Sequence, residues 1–141
     1  MEFPEINVLA VVAATASSML VGFVFYHPRV FGTGWMRAIG HAEESTLSTA
    51  GWVYAVPLLG SAVTALVLAV ATAVAFDVYG GSFLVTALGV SLVLYVGMTA
   101  ARVLVHDAFD PRRFRVTGYT LLNEFFTIAV MGFIIGVWPP A

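Results

Sequence analysis

Residues 50–76 read AGWVYAVPLLGSAVTALVLAVATAVAF and contain no charged side chain. A transmembrane α-helix needs about 20 consecutive apolar residues, so this run is long enough to cross a bilayer. Three further apolar runs reach that length, at residues 6–26, 82–105 and 117–138. The sequence therefore predicts an all-α, polytopic integral membrane protein whose four transmembrane helices form a single domain over residues 1–141.

The composition of the chain indicates that lipid is its main solvent. Hydrophobic residues make up 60% of the sequence and charged residues only 10%, with a mean hydropathy of +0.96. Soluble domains carry about 25% charged residues, and a small globule cannot bury this much apolar surface. The absence of Cys and Lys excludes disulfides, Cys-ligated zinc, thiol chemistry and lysine Schiff bases. No basic patch is long enough for nucleic acid, and no cofactor is predicted.

The arginines predict the orientation of the chain in the membrane. They fall in the first and third loops or beside the third loop: Arg29, Arg37, Arg102, Arg112, Arg113 and Arg115. With four spans these two loops lie on the same side, and cytoplasmic loops carry the excess of basic residues. We therefore expect a multi-pass protein of the cell membrane with both termini outside.

The stretch that follows the first span, residues 25–41, reads FYHPRVFGTGWMRAIGH and has the composition of an elbow. Pro28 lacks an amide hydrogen and restricts the residue before it, so it ends the helix. Gly32 permits a sharp turn. Trp35 and Met36 can then lie among the lipid headgroups on a short interfacial helix. The predicted elbow motif consists of Tyr26, Pro28, Phe31, Gly32, Trp35 and Met36.

Polar residues near the cytoplasmic ends of the spans are the candidate functional groups. Arg102 lies about one turn inside the third span, and Glu124 about two turns inside the fourth. A charge in lipid costs roughly 3 kcal/mol, so it usually pairs or faces the bundle interior, and we hypothesise an Arg102–Glu124 ion pair. His106 follows Arg102 by four residues, on the same helical face. The predicted polar cluster consists of His27, Arg102, His106, Asp107, Asn123 and Glu124.

The same residues also have a purely architectural interpretation. Arg102 can extend to the headgroups without a partner, and Glu124 can be protonated or can simply join two helices. The histidines can lie at the interface without binding a ligand. The cluster contains metal-binding residue types but no spacing such as HxxxH or HExxH, so no metal site is predicted.

Small residues at four-residue spacing predict close packing between helices. The clearest case is Gly132 and Gly136, which form a GxxxG pair. Such pairs let helix backbones approach each other in lipid. Two interpretations remain open: the pair joins helices of one chain, or it joins two protomers of a homo-oligomer.

Three segments of the sequence carry a family resemblance. They are Phe25-Tyr26-His27-Pro28-x-x-Phe31-Gly32-x-x-Trp35-Met36, then His106-Asp107-Ala108-Phe109, and Met131-Gly132 through Trp138. These segments resemble the domain of unknown function 1761 family, and the resemblance spans nearly the whole chain. It implies a small membrane protein with about four helices, and it implies no activity.

Two classes of function fit these features. The first is a non-enzymatic membrane protein, either a homo-oligomeric transport or permeation unit or an accessory subunit, in which the polar cluster forms a path or gate. The second is a membrane-embedded enzyme or lipid-binding protein that holds a lipid or small-molecule ligand at the cytoplasmic leaflet. We favour the first because no catalytic spacing is visible and four helices of this size leave little room for both a core and a large pocket.

Overall fold

A computed structural model describes residues 4–40, 52–109 and 114–140. Within these ranges the regular secondary structure is entirely helical. Several residues used in the sequence analysis lie outside the described ranges. These are residues 50–51 at the start of the second predicted span, His41 at the end of the elbow stretch, and Arg112 and Arg113 in the third loop.

Four long helices form a bundle. The first is α1, Val8–Phe25, and the second is α3, Trp52–Tyr79. The third is a continuous helix made of α4, Phe83–Leu94, a π-helical segment, Tyr95–Ala100, and α5, Ala101–Ala108. The fourth is α6, Phe114–Val137. Each is long and apolar enough to cross a membrane, which confirms the predicted all-α membrane fold.

The observed helix ends differ from the predicted ends by only a few residues. The second helix continues from residue 76 to Tyr79, and the third from residue 105 to Ala108. The apolar runs indicate the thickness of the membrane, whereas polar residues can extend a helix beyond it. Between the first two long helices, a π-helical turn at Pro28–Gly32 leads into the short helix α2, Thr33–Ile39.

Local signals in the sequence account for the helix ends on one side of the bundle. Asn7 caps α1, because its Oδ1 accepts a hydrogen bond from the amide of Ala10 at 3.1 Å. Ser82 caps α4 in the same way. Between α3 and α4, Gly80 and Gly81 have φ angles of 66° and 89°, which glycine adopts without strain. The chain can therefore reverse direction in a short turn.

The four long helices pack in the order α1, α3, α4, α6, and α6 closes the bundle against α1. The buried core lies between α1, α3 and α6, where alanines let the backbones approach closely. It consists of Ala14, Ala65, Leu68, Ala69, Ile128, Met131 and Ile135.

The two ends of the bundle differ in character. At the first, the side-chain amide of Asn7 donates to the carbonyl of Pro139 at 3.4 Å, so residues near both ends of the chain meet. We call this the terminal end. The opposite end holds the elbow, α2, α5 and the start of α6. We call it the basic end, because it contains every arginine within the described residues: Arg29, Arg37, Arg102 and Arg115.

The Gly132–Gly136 pair packs against α4 of the same chain. A Cβ added to Gly132 would overlap with Oγ of Ser91. A Cβ added to Gly136 would lie 2.9 Å from Cα of Leu84 and 3.0 Å from Cβ of Ala87. The close approach that this motif permits is therefore made between α6 and α4 within one chain.

Gly136→Ala should destabilise the protein, because the added Cβ would press on the backbone of α4. Overpacking of this kind typically costs about 1–3 kcal/mol of the free energy of unfolding. Gly89→Ala is the matched control, since no atom lies within 4 Å of a Cβ at that position. It should change stability by no more than about 1 kcal/mol. Equal thermal unfolding of the two variants in detergent would contradict the described packing.

Candidate functional site

A cavity of about 950 Å³ lies between α1, α3 and α6. It is bordered by residues 18–28 of α1 and the elbow, residues 54–64 of α3 and residues 123–131 of α6, and we call it the basic-end cavity. Small-molecule sites have volumes of roughly 300–1,000 Å³. The cavity is open at the side and not enclosed, since Leu20 and Phe23 of its lining are 67% and 73% exposed.

Small residues leave the space that the cavity occupies. Gly22 on α1 and Gly60 on α3 line it, and a Cβ added to either would meet no atom within 4 Å. Pro57 of α3 also lines it and lacks an amide hydrogen for the usual helical bond. Toward the terminal end the cavity stops at Ile128 and Met131, which belong to the buried core.

Two hydroxyl groups that line the cavity donate hydrogen bonds to backbone carbonyls. Ser18 Oγ donates to the carbonyl of Thr15 at 2.7 Å, and Thr64 Oγ1 donates to the carbonyl of Gly60 at 3.0 Å. A hydroxyl has one proton and two acceptor lone pairs. These side chains can therefore offer the cavity only acceptor positions.

Two adjacent polar side chains of α6 border the cavity. Glu124 is half-buried, and no basic side chain in the described parts of the chain forms an ion pair with it. Oδ1 of Asn123 is buried and has no hydrogen-bond partner among the described residues. Because buried polar atoms are normally hydrogen-bonded, this part of α6 has unused capacity to bind a polar group.

The elbow motif folds into an aromatic cluster beside the cavity. The rings of Phe25 and Phe31 lie 4.6 Å apart, and those of Tyr26 and Trp35 lie 5.0 Å apart. A Cβ added to Gly32 would overlap with the carbonyl oxygen of Tyr26, so the turn requires glycine. Tyr26 follows α1 and lines the cavity. Burial, and to a smaller extent the charge of Glu124, raises the pKa of the Tyr26 phenol above its ordinary value.

His27 and Pro28 connect the elbow to the cavity, which both of them line. His27 caps the π-helical turn, because its Nδ1 accepts a hydrogen bond from the amide of Arg29 at 3.2 Å. A neutral imidazole with Nδ1 as acceptor carries its proton on Nε2. Met36, the last member of the predicted motif, lies on α2 and is partly buried.

The structure divides the predicted polar cluster between two places. His27, Asn123 and Glu124 line the basic-end cavity. The other three members, Arg102, His106 and Asp107, lie on α5 and do not line it. Arg102 is exposed and forms no ion pair with Glu124, so the hypothesis of a pair between them is wrong.

Asp107 has partners of its own. Its Oδ2 accepts a hydrogen bond from Thr117 Oγ1 at 2.6 Å, and its Oδ1 lies 3.5 Å from Nδ1 of His106. The His106 side chain is 75% exposed. The Asp107–Thr117 bond joins α5 to α6, which is an architectural role. No group of three or more His, Asp or Glu side chains in the described ranges is arranged to hold a metal ion.

The π-helical segment Tyr95–Ala100 gives a physical reason for the separation of Arg102 from Glu124. A π turn closes its hydrogen bond one residue later than an α turn, so the segment rotates α5 relative to α4. The expected pair assumed α-helical geometry throughout the third span. The segment is anchored on α6, because Tyr95 donates from its hydroxyl to the carbonyl of Leu121 at 2.9 Å and its ring lies 5.4 Å from that of Phe125.

Besides Gly60, four residues of α3 line the cavity and were not among the predicted site residues. The residues concerned are Tyr54, Pro57, Ser61 and Thr64. They are spaced three or four residues apart, which places them on one face of a helix. This spacing of polar residues and proline, within an otherwise apolar run, is the signal that could have revealed them.

The four apolar helices define the chain as a polytopic α-helical membrane protein. Its sequence matches the family model described as protein of unknown function (DUF1761) over residues 9–136. The chain belongs to this family, which confirms the resemblance inferred from the sequence motifs. Neither the comparison with curated proteins nor that with solved structures gave a match.

We expect Arg102 and Glu124 to contribute independently to stability. The losses in free energy of unfolding for Arg102→Ala and Glu124→Gln should add in the double variant to within about 0.5 kcal/mol, because the side chains share no contact. Thermal or denaturant unfolding in detergent measures each variant of the cycle.

The matched control for this cycle is Asp107→Asn with Thr117→Val. These side chains share the 2.6 Å hydrogen bond between α5 and α6, so their effects should be coupled by about 0.5–3 kcal/mol. If the coupling free energy between Arg102 and Glu124 were as large as that of the control pair, the two side chains would form an ion pair, contrary to the structure.

Proposed function

We propose that this protein binds an amphipathic small molecule or lipid in the basic-end cavity. The observation that carries the proposal is the cavity itself, in which apolar walls and a few polar groups border the same space. Ligand sites generally combine a mainly apolar lining with a small number of polar groups that fix the orientation of the ligand.

The apolar part of the lining suits a hydrocarbon or aromatic moiety. α1 contributes Met19, Leu20 and Phe23, and α6 contributes Ile128 and Met131. Methionine side chains are flexible and polarisable, and they adapt to ligands of irregular shape. A ligand that leaves a bilayer for this cavity exchanges one apolar environment for another, so the polar groups must supply much of the selectivity.

The polar part of the lining suits a headgroup. Glu124 and Asn123 border the cavity on α6, and Tyr26, His27 and Tyr54 border it nearer the basic end. Tyrosine combines an apolar ring with a polar hydroxyl, which is the reason for its enrichment at membrane interfaces. An amphipathic ligand would align its polar head with these groups and its apolar part with α1 and the core.

This proposal favours the lipid-binding alternative over permeation through a single chain. The cavity stops at Ile128 and Met131, so a permeation path would have to run elsewhere, along an axis between several copies. Homo-oligomer formation is a separate proposal. Native mass spectrometry tests it, because the mass of the complex gives the number of chains.

Native mass spectrometry of the protein released from membranes tests ligand binding. Gly22→Leu and Gly60→Leu should each reduce the amount of bound amphipathic molecule, because a leucine side chain at either position would occupy part of the cavity without meeting another atom at Cβ. Wild type and Gly89→Leu, whose substitution lies on α4 outside the cavity, should retain it. An identical set of bound masses in all four proteins would contradict the proposal.

We also infer that the basic end faces the cytoplasm. The arginines of the described residues lie at that end, and Arg112 and Arg113 belong to the adjoining loop of the sequence. Cytoplasmic loops of membrane proteins carry the excess of Arg and Lys. The cavity would then be nearer the cytoplasmic leaflet.

Single cysteines at the two ends of the bundle test this orientation, since the chain has no cysteine of its own. Tyr79 at the terminal end is 84% exposed and Phe109 at the basic end is 89% exposed. A membrane-impermeant thiol reagent applied to intact cells should label Tyr79→Cys and not Phe109→Cys. Labelling of Phe109→Cys alone would reverse the orientation.

A further inference from the structure

The charges that border the basic-end cavity are unbalanced. Among the described residues, Glu124 is the one acidic side chain that lines it, and no arginine does. His27 is the one basic group of this described lining, and its Nδ1 already accepts the amide hydrogen of Arg29. When His27 is neutral, no side chain of the described lining supplies a positive charge to offset the Glu124 carboxylate.

The position of Glu124 makes this imbalance costly. Glu124 lies ten residues after Phe114, so it is about 15 Å along α6 from the start of the helix. An isolated charge at depth in a membrane is strongly disfavoured unless it pairs, reaches water or is neutralised by a proton. A cation that entered the cavity would offset that cost, whereas an anion would increase it.

Two hydroxyl groups of the lining have the same preference. Ser18 and Thr64 donate their protons to backbone carbonyls and offer acceptor oxygens to the cavity. Phosphate and carboxylate groups are normally bound by arginine, lysine or backbone amides, but the chain has no lysine and none of the described arginines borders the cavity. The remaining donors of the described lining, such as the Asn123 amide, are neutral groups, which bind an anionic headgroup less strongly than arginine or lysine.

Aromatic side chains also line the cavity. Phe23 and Tyr26 of the first helix and its end, and Tyr54 of α3, all border the cavity. The faces of such rings attract cations, including quaternary ammonium groups. Carboxylate, hydroxyl acceptors and aromatic rings together are the chemistry that recognises an organic cation.

We propose that the ligand of the basic-end cavity is a cationic amphiphile, with its positively charged nitrogen at Glu124 and its apolar part against Met19, Ile128 and Met131. This inference rests on the proposed function, because it names the chemical class of ligand for the same cavity. Glu124 is a binding residue in this proposal, and it pairs with the ligand instead of with another residue of the bundle.

Three probes with the same alkyl chain and different heads test the inference: decylammonium, 1-decanol and decanoate. Equilibrium dialysis against wild-type protein in phosphatidylcholine nanodiscs measures binding, and empty nanodiscs correct for partition into lipid. Wild type should bind decylammonium about tenfold more tightly than 1-decanol, and decanoate more weakly than either.

Glu124→Gln should remove the preference for decylammonium and leave the binding of 1-decanol within about twofold, because it removes the charge and preserves the shape of the side chain. Asp107→Asn is the matched control, since this acid lies at the same end of the bundle but does not line the cavity. It should keep the tenfold preference of wild type.

The possible failures are distinguishable. Equal binding of decylammonium and 1-decanol by wild type, or an unchanged preference in Glu124→Gln, would overturn the cationic ligand but leave an amphiphile-binding cavity. Binding of all three probes at the level of empty nanodiscs would overturn both the inference and the proposed function. The comparison of headgroups in wild type decides the matter even if Glu124→Gln does not fold.

Discussion

The contact between α6 and α4 is the constraint on which the remaining arrangement depends. Gly132 and Gly136 have no side chain to separate the two helices, and Ser91, Ala87 and Leu84 occupy the space instead. With one side of α6 held against α4, its other side meets α1 and α3 through Ile128, Met131 and Ile135. Helices in lipid gain little from burying apolar surface, so close packing of this kind must supply much of their association.

The basic-end cavity follows from this arrangement. Near the terminal end α1 and α3 meet over alanines, whereas near the basic end Gly22 and Gly60 leave space beside α6. The same helix therefore has a packed half and a half that borders a cavity. Glu124 and Asn123 occur in the second half, where a polar side chain is not forced against an apolar neighbour. Close packing at one end thus coexists with open space at the other.

The sequence was sufficient to predict the four long helices, the elbow and the family. Each of these depends on the length of an apolar run or on local residue types. It was only partly sufficient for the site. Glu124, Asn123 and His27 were predicted to lie together and do line one cavity, but Arg102 was assigned to the same cluster from its depth along the helix axis. Depth can be read from residue counts, whereas the direction of a side chain depends on every turn before it. The π-helical segment changes that direction. No simple pattern in its sequence, YVGMTA at residues 95–100, predicts a π-helix.

The π-helical segment also affects how sequences of this family can be compared. A π turn holds one more residue than the α turn that it replaces, so a relative with the same number of residues here but a regular α-helix would rotate every later residue about the helix axis. Its residues up to Leu94 would occupy equivalent positions in space. Beyond that point, an arginine aligned with Arg102 would project from a different side of the helix. Two residues in the same alignment column would then lie in different environments, although both belong to one uninterrupted transmembrane helix.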